Sequence, residues 1–169
     1  MAGAGGENRE SGPTDPDRGL WRGRRVARCH VSPDGLVVLV GRNAEDNDVV
    51  SLKLAAPRDF WLHVASGPGS HVVVRNPEGL RRLPRETLKF AAGLAAAHSS
   101  ARAGGRVAVH LAVAGDVSKP RGFGPGKVEL RRHETVMASP LVVPPTSDPP
   151  TGGPDGGRGP GTAGRRGGG

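Results

Sequence analysis

DFWLHVASGPGSHVVVRN, residues 59–76, reads as two β-strands and the turn between them. Phe60 to Val64 and His71 to Arg75 are the apolar runs. Between them lies Ala65-Ser66-Gly67-Pro68-Gly69-Ser70, whose glycines permit positive φ where the backbone doubles back. The same stretch places Trp61, His63, Ser70 and His71 close together in a chain whose aromatic content is only 3%. Catalysis, metal binding and presentation of a surface to a partner are the three roles such a cluster suggests.

On the N-terminal side, Val26 to Val31 and Leu36 to Val40 are strands joined by Ser32-Pro33-Asp34-Gly35, a hairpin that opens the domain. Asn43 and Asp46 are good N-cap types ahead of a short helix reaching Ala55, although Val49, Leu52, Leu54 and Ala55 fit one helical face only loosely. On the C-terminal side, Leu88, Ala91, Ala92, Ala95 and Ser99 recur at helical spacing. The main helix is expected over Pro84 to Arg102, ending near Gly104-Gly105.

Val107 to Val113 then alternates richer and poorer apolar positions, and Val128 to Arg132 and Thr135 to Met137 complete the strands. Strands, one helix and more strands imply a single α+β domain, with a mixed or mainly antiparallel sheet packed against one main helix. Residues 1–19 hold five Gly, two Pro and four acidic residues without apolar periodicity, and 141–169 are rich in Gly and Pro. Both ends are expected to be disordered, leaving residues 20–140 as the folded unit.

That unit carries 19 Lys and Arg against 10 Asp and Glu, a net of +9. Nucleic acid is the first partner such a charge favours and an anionic membrane the second. No apolar run approaches the roughly 20 residues needed to cross a bilayer, and the N-terminus lacks the order of a signal peptide, so a cytoplasmic location without membrane is expected. The single cysteine, Cys29, excludes an internal disulfide and reads as a small buried residue beside a strand.

The chemical alternatives are incomplete. Six histidines supply imidazoles, but their spacing forms no metal-ligand motif, so no metal or cofactor is expected. A hydrolase would pair Ser70 with His63 across the hairpin, because His71, adjacent to Ser70 on a strand, points to the other face. The turn also lacks a G-x-S-x-G elbow. KPRGFGPGKV, residues 119–128, is no P-loop, since Arg121 and Val128 stand where that motif needs Gly and Ser or Thr. It does place Lys119, Arg121 and Lys127 on a glycine-proline loop with Phe123 at its tip, a combination suited to phosphate contacts and base stacking.

Four segments in order, VGRNAEDNDVVSLKLA (40–55), DFWLHVASGPGSHVVVRN (59–76), AAAHSSA (95–101) and VSKPRGFGPGKVEL (117–130), resemble the NFACT-R domain, the RNA-binding module of the NFACT ribosome-quality-control proteins. The resemblance covers about residues 24–140. It aligns Gly41, Arg42, Asn43, Asn47 and Asp48; Asp59, Trp61, His63, Pro68, Gly69, Ser70 and His71; and Val117, Lys119, Pro120, Gly122, Pro125, Gly126 and Val128 with the family's motifs. The helix end departs from the family's aromatic-rich run, for this chain has no tyrosine.

The resemblance implies a stand-alone, non-enzymatic module binding tRNA or ribosomal RNA in connection with the large ribosomal subunit, stalled-ribosome quality control or RNA processing. The site residues it suggests are Arg42, Asn43, Asn47, Asp59, Trp61, His63, Ser70, His71, Lys119, Arg121 and Lys127. A protein-interaction adaptor docking on ribosomes or RNA-modifying enzymes is the alternative. Trp61 itself has two readings, a face for a base or a core residue.

Overall fold

A computed structural model describes residues 12–142. A 3-10 turn at Pro16–Arg18 leads into two short strands, β1 (Leu20–Trp21) and β2 (Arg24–Arg25). The hairpin β3 (Ala27–Val31) and β4 (Val37–Gly41) follows, then helix α1 (Ala44–Val49) running into a π-helical turn at Val50–Leu54. Next come β5 (Phe60–Val64), β6 (Val72–Val74), the long helix α2 (Arg85–Ala97) and β7 (Val107–Val113). A ribbon of β8 (Val117–Ser118) and β9 (Glu129–Leu130) precedes β10 (Glu134–Ala138).

Six strands form one sheet in the order β10-β7-β5-β6-β4-β3, antiparallel at every junction. With α2 packed on it, this is the expected α+β architecture with a mainly antiparallel sheet. Strand alternation sends neighbouring residues to opposite faces. Val38, Val40, Phe60, Leu62, Val64, Val72, Val74 and Val109 therefore meet Ala91, Ala92, Leu94 and Ala95 of α2. The alanines let the helix lie close to the sheet.

The second face carries Cys29, Leu39, Val73, Trp61 and Ala112, which the register aligns in one row across five strands. Val50 and Leu54 of the π turn, Val26 and Val117 cover that row. The central strands are thus buried on both sides, which is why they read as continuous apolar runs.

The N-terminal boundary is a correction. Residues 12–19, expected to belong to a disordered arm, are built into the domain: Asp15 caps the 3-10 turn, and Asp17 pairs with Arg75 Nε at 2.9 Å. These polar contacts leave no apolar periodicity for a sequence reading to detect. Residues 1–11 and 143–169 lie outside the described residues.

Helix α2 stops at Ala97 instead of reaching Arg102. Ser70 N–H donates to the His98 carbonyl and Ser100 N–H to that of Pro68, so the 65–70 turn clips the helix end. The loose apolar periodicity of residues 43–55 also has a cause: Ala55 N–H reaches the Val50 carbonyl, a π-type bond that widens the turn.

Candidate nucleic-acid interface

A cleft of about 750 Å³ opens on the second face, between the 65–70 turn, α1 and the glycine-proline loop joining β8 to β9. Its floor is a second cross-strand row. Continuing the registers, Gly41, His71, His63 and His110 lie side by side on β4, just before β6, and on β5 and β7. The His63 and His71 rings meet edge to face at 5.2 Å, and the His110 and His133 rings lie tilted at 45° with centroids 4.1 Å apart.

His71 is the anchor of this floor. Trp61 Nε1–H donates to Ser51 Oγ at 2.9 Å, Ser51 Oγ lies 2.8 Å from His71 Nδ1, and His71 Nε2 lies 3.1 Å from the Gly126 carbonyl. An indole nitrogen only donates and a carbonyl only accepts. The ring must therefore carry its proton on Nε2, and the Ser51 hydroxyl must donate to Nδ1. Burial, with His63 beside it, lowers the His71 pKa to about 4, so the neutral ring that this relay needs is the one present near neutrality. His63 is also lowered, mainly by burial, as is His110, where burial is followed by the charge of His133.

The glycine-proline loop is tied to the same frame. Gly126 N–H donates to both Asp48 carboxylate oxygens at 3.2 Å, and Lys119 Nζ pairs with Asp48 at 3.2 Å. Lys119 Nζ also donates to the carbonyls of Gly124 and, at 2.9 Å, Lys127. Gly126 has φ +78°, which favours glycine, and a Cβ there would also sit tightly, 3.2 Å from that of Ala44. Gly41 is needed for space alone, because a Cβ would run into the Asn47 amide.

Asn47 completes the frame. Its Oδ1 accepts from His71 N–H and its Nδ2 donates to the Gly69 carbonyl, while Ser70 Oγ donates to the Gly41 carbonyl. Asn43 accepts from Asp46 N–H as the cap of α1. The three motif segments are therefore one hydrogen-bonded unit, with the cleft at its centre.

The proposed site residues divide by placement. Trp61 is 2% exposed and lies in the core, so its face is closed to a base. Asp59 is buried too, with its carboxylate accepting from Arg75 and from the N–H groups of Ala56 and Asn76, which sets the corner before β5. Asn47 and His71 are buried supports, Ser70 spends its hydroxyl on Gly41, and Lys119 spends its ammonium inside the loop. Arg42, Asn43, Arg121 and Lys127 are exposed and His63 half-buried.

Phe123, 42% exposed over the cleft, belongs with these, and so does the half-buried His110, whereas Ser51 is a further buried support; the motif match had singled out none of the three as a site residue. Strand alternation across from His63 was the signal for His110. Ser51 gave none, since only the π turn brings it to Trp61. Among the described residues, no group of three or more His, Cys, Asp or Glu side chains is arranged to hold a metal ion. No helix there is long and apolar enough to cross a membrane.

The model of the NFACT protein RNA binding domain matches residues 26–132. The Rqc2 homolog RqcH of Bacillus subtilis is 36% identical over 115 residues, covering 68% of this chain and 20% of that protein. Its Streptococcus suis counterpart is 35% identical over 119 residues, covering 69% and 21%. The chain thus spans about a fifth of the length of these curated relatives.

Among solved structures, the C-terminal part of the fibronectin/fibrinogen-binding protein from Streptococcus suis superposes with a TM-score of 0.65 at 33% identity. The match covers 70% of this chain and 47% of that one. A family match that runs from β3 through both glycine turns to β9 takes in the whole frame of the cleft, and the chain belongs to the NFACT RNA-binding domain family.

Proposed function

We propose that the chain is a non-enzymatic module that binds RNA in the histidine-floored cleft, in the setting of ribosome quality control. The observation that carries this reading is Phe123, exposed at the tip of a rigidly tied loop between Arg121 and Lys127, whose side chains make no ion pair among the described residues. An aromatic face between two cations suits a base and its flanking phosphates. His63 and His110 below supply neutral rings and ring nitrogens for an unstacked base or a 2′-hydroxyl.

The RNA is a tRNA or ribosomal RNA encountered on the large ribosomal subunit, and the site of action is the cytoplasm. The names of the relatives, Rqc2 homologs and a ribosome quality control subunit homolog of Drosophila melanogaster, support this setting. The non-enzymatic reading is supported by Ser70, whose hydroxyl donates to the Gly41 carbonyl and not to a histidine.

RNA titration of the purified chain over a range of salt concentrations tests the reading. Affinity should fall with a log-log slope of about −3 to −5, for roughly 4 to 6 phosphates engaged. Phe123→Ala should weaken binding about tenfold with folding unchanged. Absence of binding at near-physiological salt, or binding indifferent both to Phe123→Ala and to the pair Arg121→Ala with Lys127→Ala, sinks it.

A further inference from the structure

On the α2 face of the sheet, opposite the histidine cleft, lies a second groove of about 460 Å³, at the place where β7 outruns β10. Glu134, the first residue of β10, pairs with Leu111, so Ala112 and Val113 extend beyond it. Phe60, Leu111 and Val113 form part of an apolar floor, and Arg81, Arg82 and Arg132 stand along the rim. Arg81 and Arg82 are exposed and make no ion pair or hydrogen bond among the described residues.

The acidic groups nearby do not cancel this charge. Arg131 Nε at 3.6 Å and Arg132 Nε at 4.0 Å share the one carboxylate of Asp116. With Glu134 also at the groove, four guanidinium groups face two carboxylates, an excess of +2. A cationic rim over an apolar floor is the chemistry of a nucleic-acid strand, whose phosphates need the charge and whose riboses and bases tolerate the floor.

The two grooves lie on opposite faces of the sheet and approach each other at its edge, beyond the start of β10. His110 lines the first and His133 the second, and the centroids of these two rings lie 4.1 Å apart. We propose that one RNA strand runs from the histidine cleft over the His110–His133 pair and round the open edge of β7 into the arginine groove, so that the chain binds single-stranded RNA along two subsites on opposite faces of the sheet. This rests on the RNA-binding reading above and adds to it a path, a polarity of function and a minimum length. The first subsite holds a base against Phe123, and the second holds the phosphates of the nucleotides that follow.

Oligoribonucleotides without secondary structure, one of about four residues and one of about twelve, separate the two claims by fluorescence anisotropy on the full chain. The longer probe should bind more tightly. Arg81→Ser with Arg82→Ser should weaken it about tenfold and make its salt slope shallower by about 1.4, at about 0.7 per phosphate contact on a single strand, while leaving the short probe unchanged. Arg81→Lys with Arg82→Lys should retain most of the affinity for the longer probe.

Lys89→Gln with Arg106→Gln removes the same charge elsewhere. Arg106 precedes β7 at the end opposite Val113, about 20 Å away at strand spacing. An equal loss in this control, a loss shared by the short probe, or a dodecamer indifferent to the serine pair overturns the two-subsite path and leaves cleft binding standing. Failure of the native chain to bind either probe overturns the RNA reading itself.

Discussion

On the α2 face of the sheet, Leu62, Val64, Val72 and Val74 bury themselves against alanines and Leu94, whereas one residue along the same strands Trp61, His63 and His71 carry hydrogen-bonding groups. The first face is held by area removed from water, which is indifferent to direction. The second has an apolar row of its own and adds to it bonds with fixed donors and acceptors, which orient the 65–70 turn, α1 and the glycine-proline loop about a cleft. Positioning is thus assigned to one side of a shared set of strands, and substitutions can separate it from stability.

The largest effect should come from the apolar face. Leu62 is fully buried, and Leu62→Ala should cost about 4 kcal/mol in denaturant unfolding, with RNA affinity of the remaining folded molecules unchanged. A comparable loss of affinity in folded Leu62→Ala would break the division between faces.

Acid should act on the other face. His71 has a folded pKa of about 4 against 6.5, so between those values the unfolded chain binds a proton that the fold rejects. Its contribution, about 3 kcal/mol, is present above pH 6.5 and is lost as pH falls toward 4. His63, His98 and His110 are displaced in the same direction. Unfolding measured from pH 7.5 to 4 should lose stability steadily, and His71→Gln should flatten that slope; an unaltered slope would remove His71 as its main source.

A smaller effect, about 2 kcal/mol, is expected of Ser51→Ala, which leaves the Trp61 N–H and His71 Nδ1 without their shared partner. Unlike Leu62→Ala it should also weaken RNA binding, because His71 then holds the Gly126 carbonyl less firmly. Loss of stability with full affinity would mean that the Asp48 and Lys119 contacts alone keep the loop in place.

Much of the sheet could be read in advance because its strands obey period two and end at turn residues. The 26–31, 36–40, 60–64 and 107–113 runs became β3, β4, β5 and β7 with shifts of a residue at most. The site was less legible. Motif matching found Asn47, Asp48, Trp61, His71 and Lys119, but a residue kept for holding a loop looks the same in sequence as one kept for touching RNA. Trp61 and Lys119 turned out to be of the first kind, while Phe123, read from the sequence as the tip of the glycine-proline loop, is an exposed aromatic group over the cleft.

The alternation of apolar residues, the glycines at the turns and the excess of arginine are local properties, and they were enough to predict an α+β domain with a mixed or mainly antiparallel sheet and a charge that favours polyanions. The histidine row, the Trp61–Ser51–His71 relay and the contact of His110 with His133 are products of register between strands far apart in the chain. Cross-strand neighbours are chosen by which faces can be buried together, and that choice is made only when the whole sheet closes on its core.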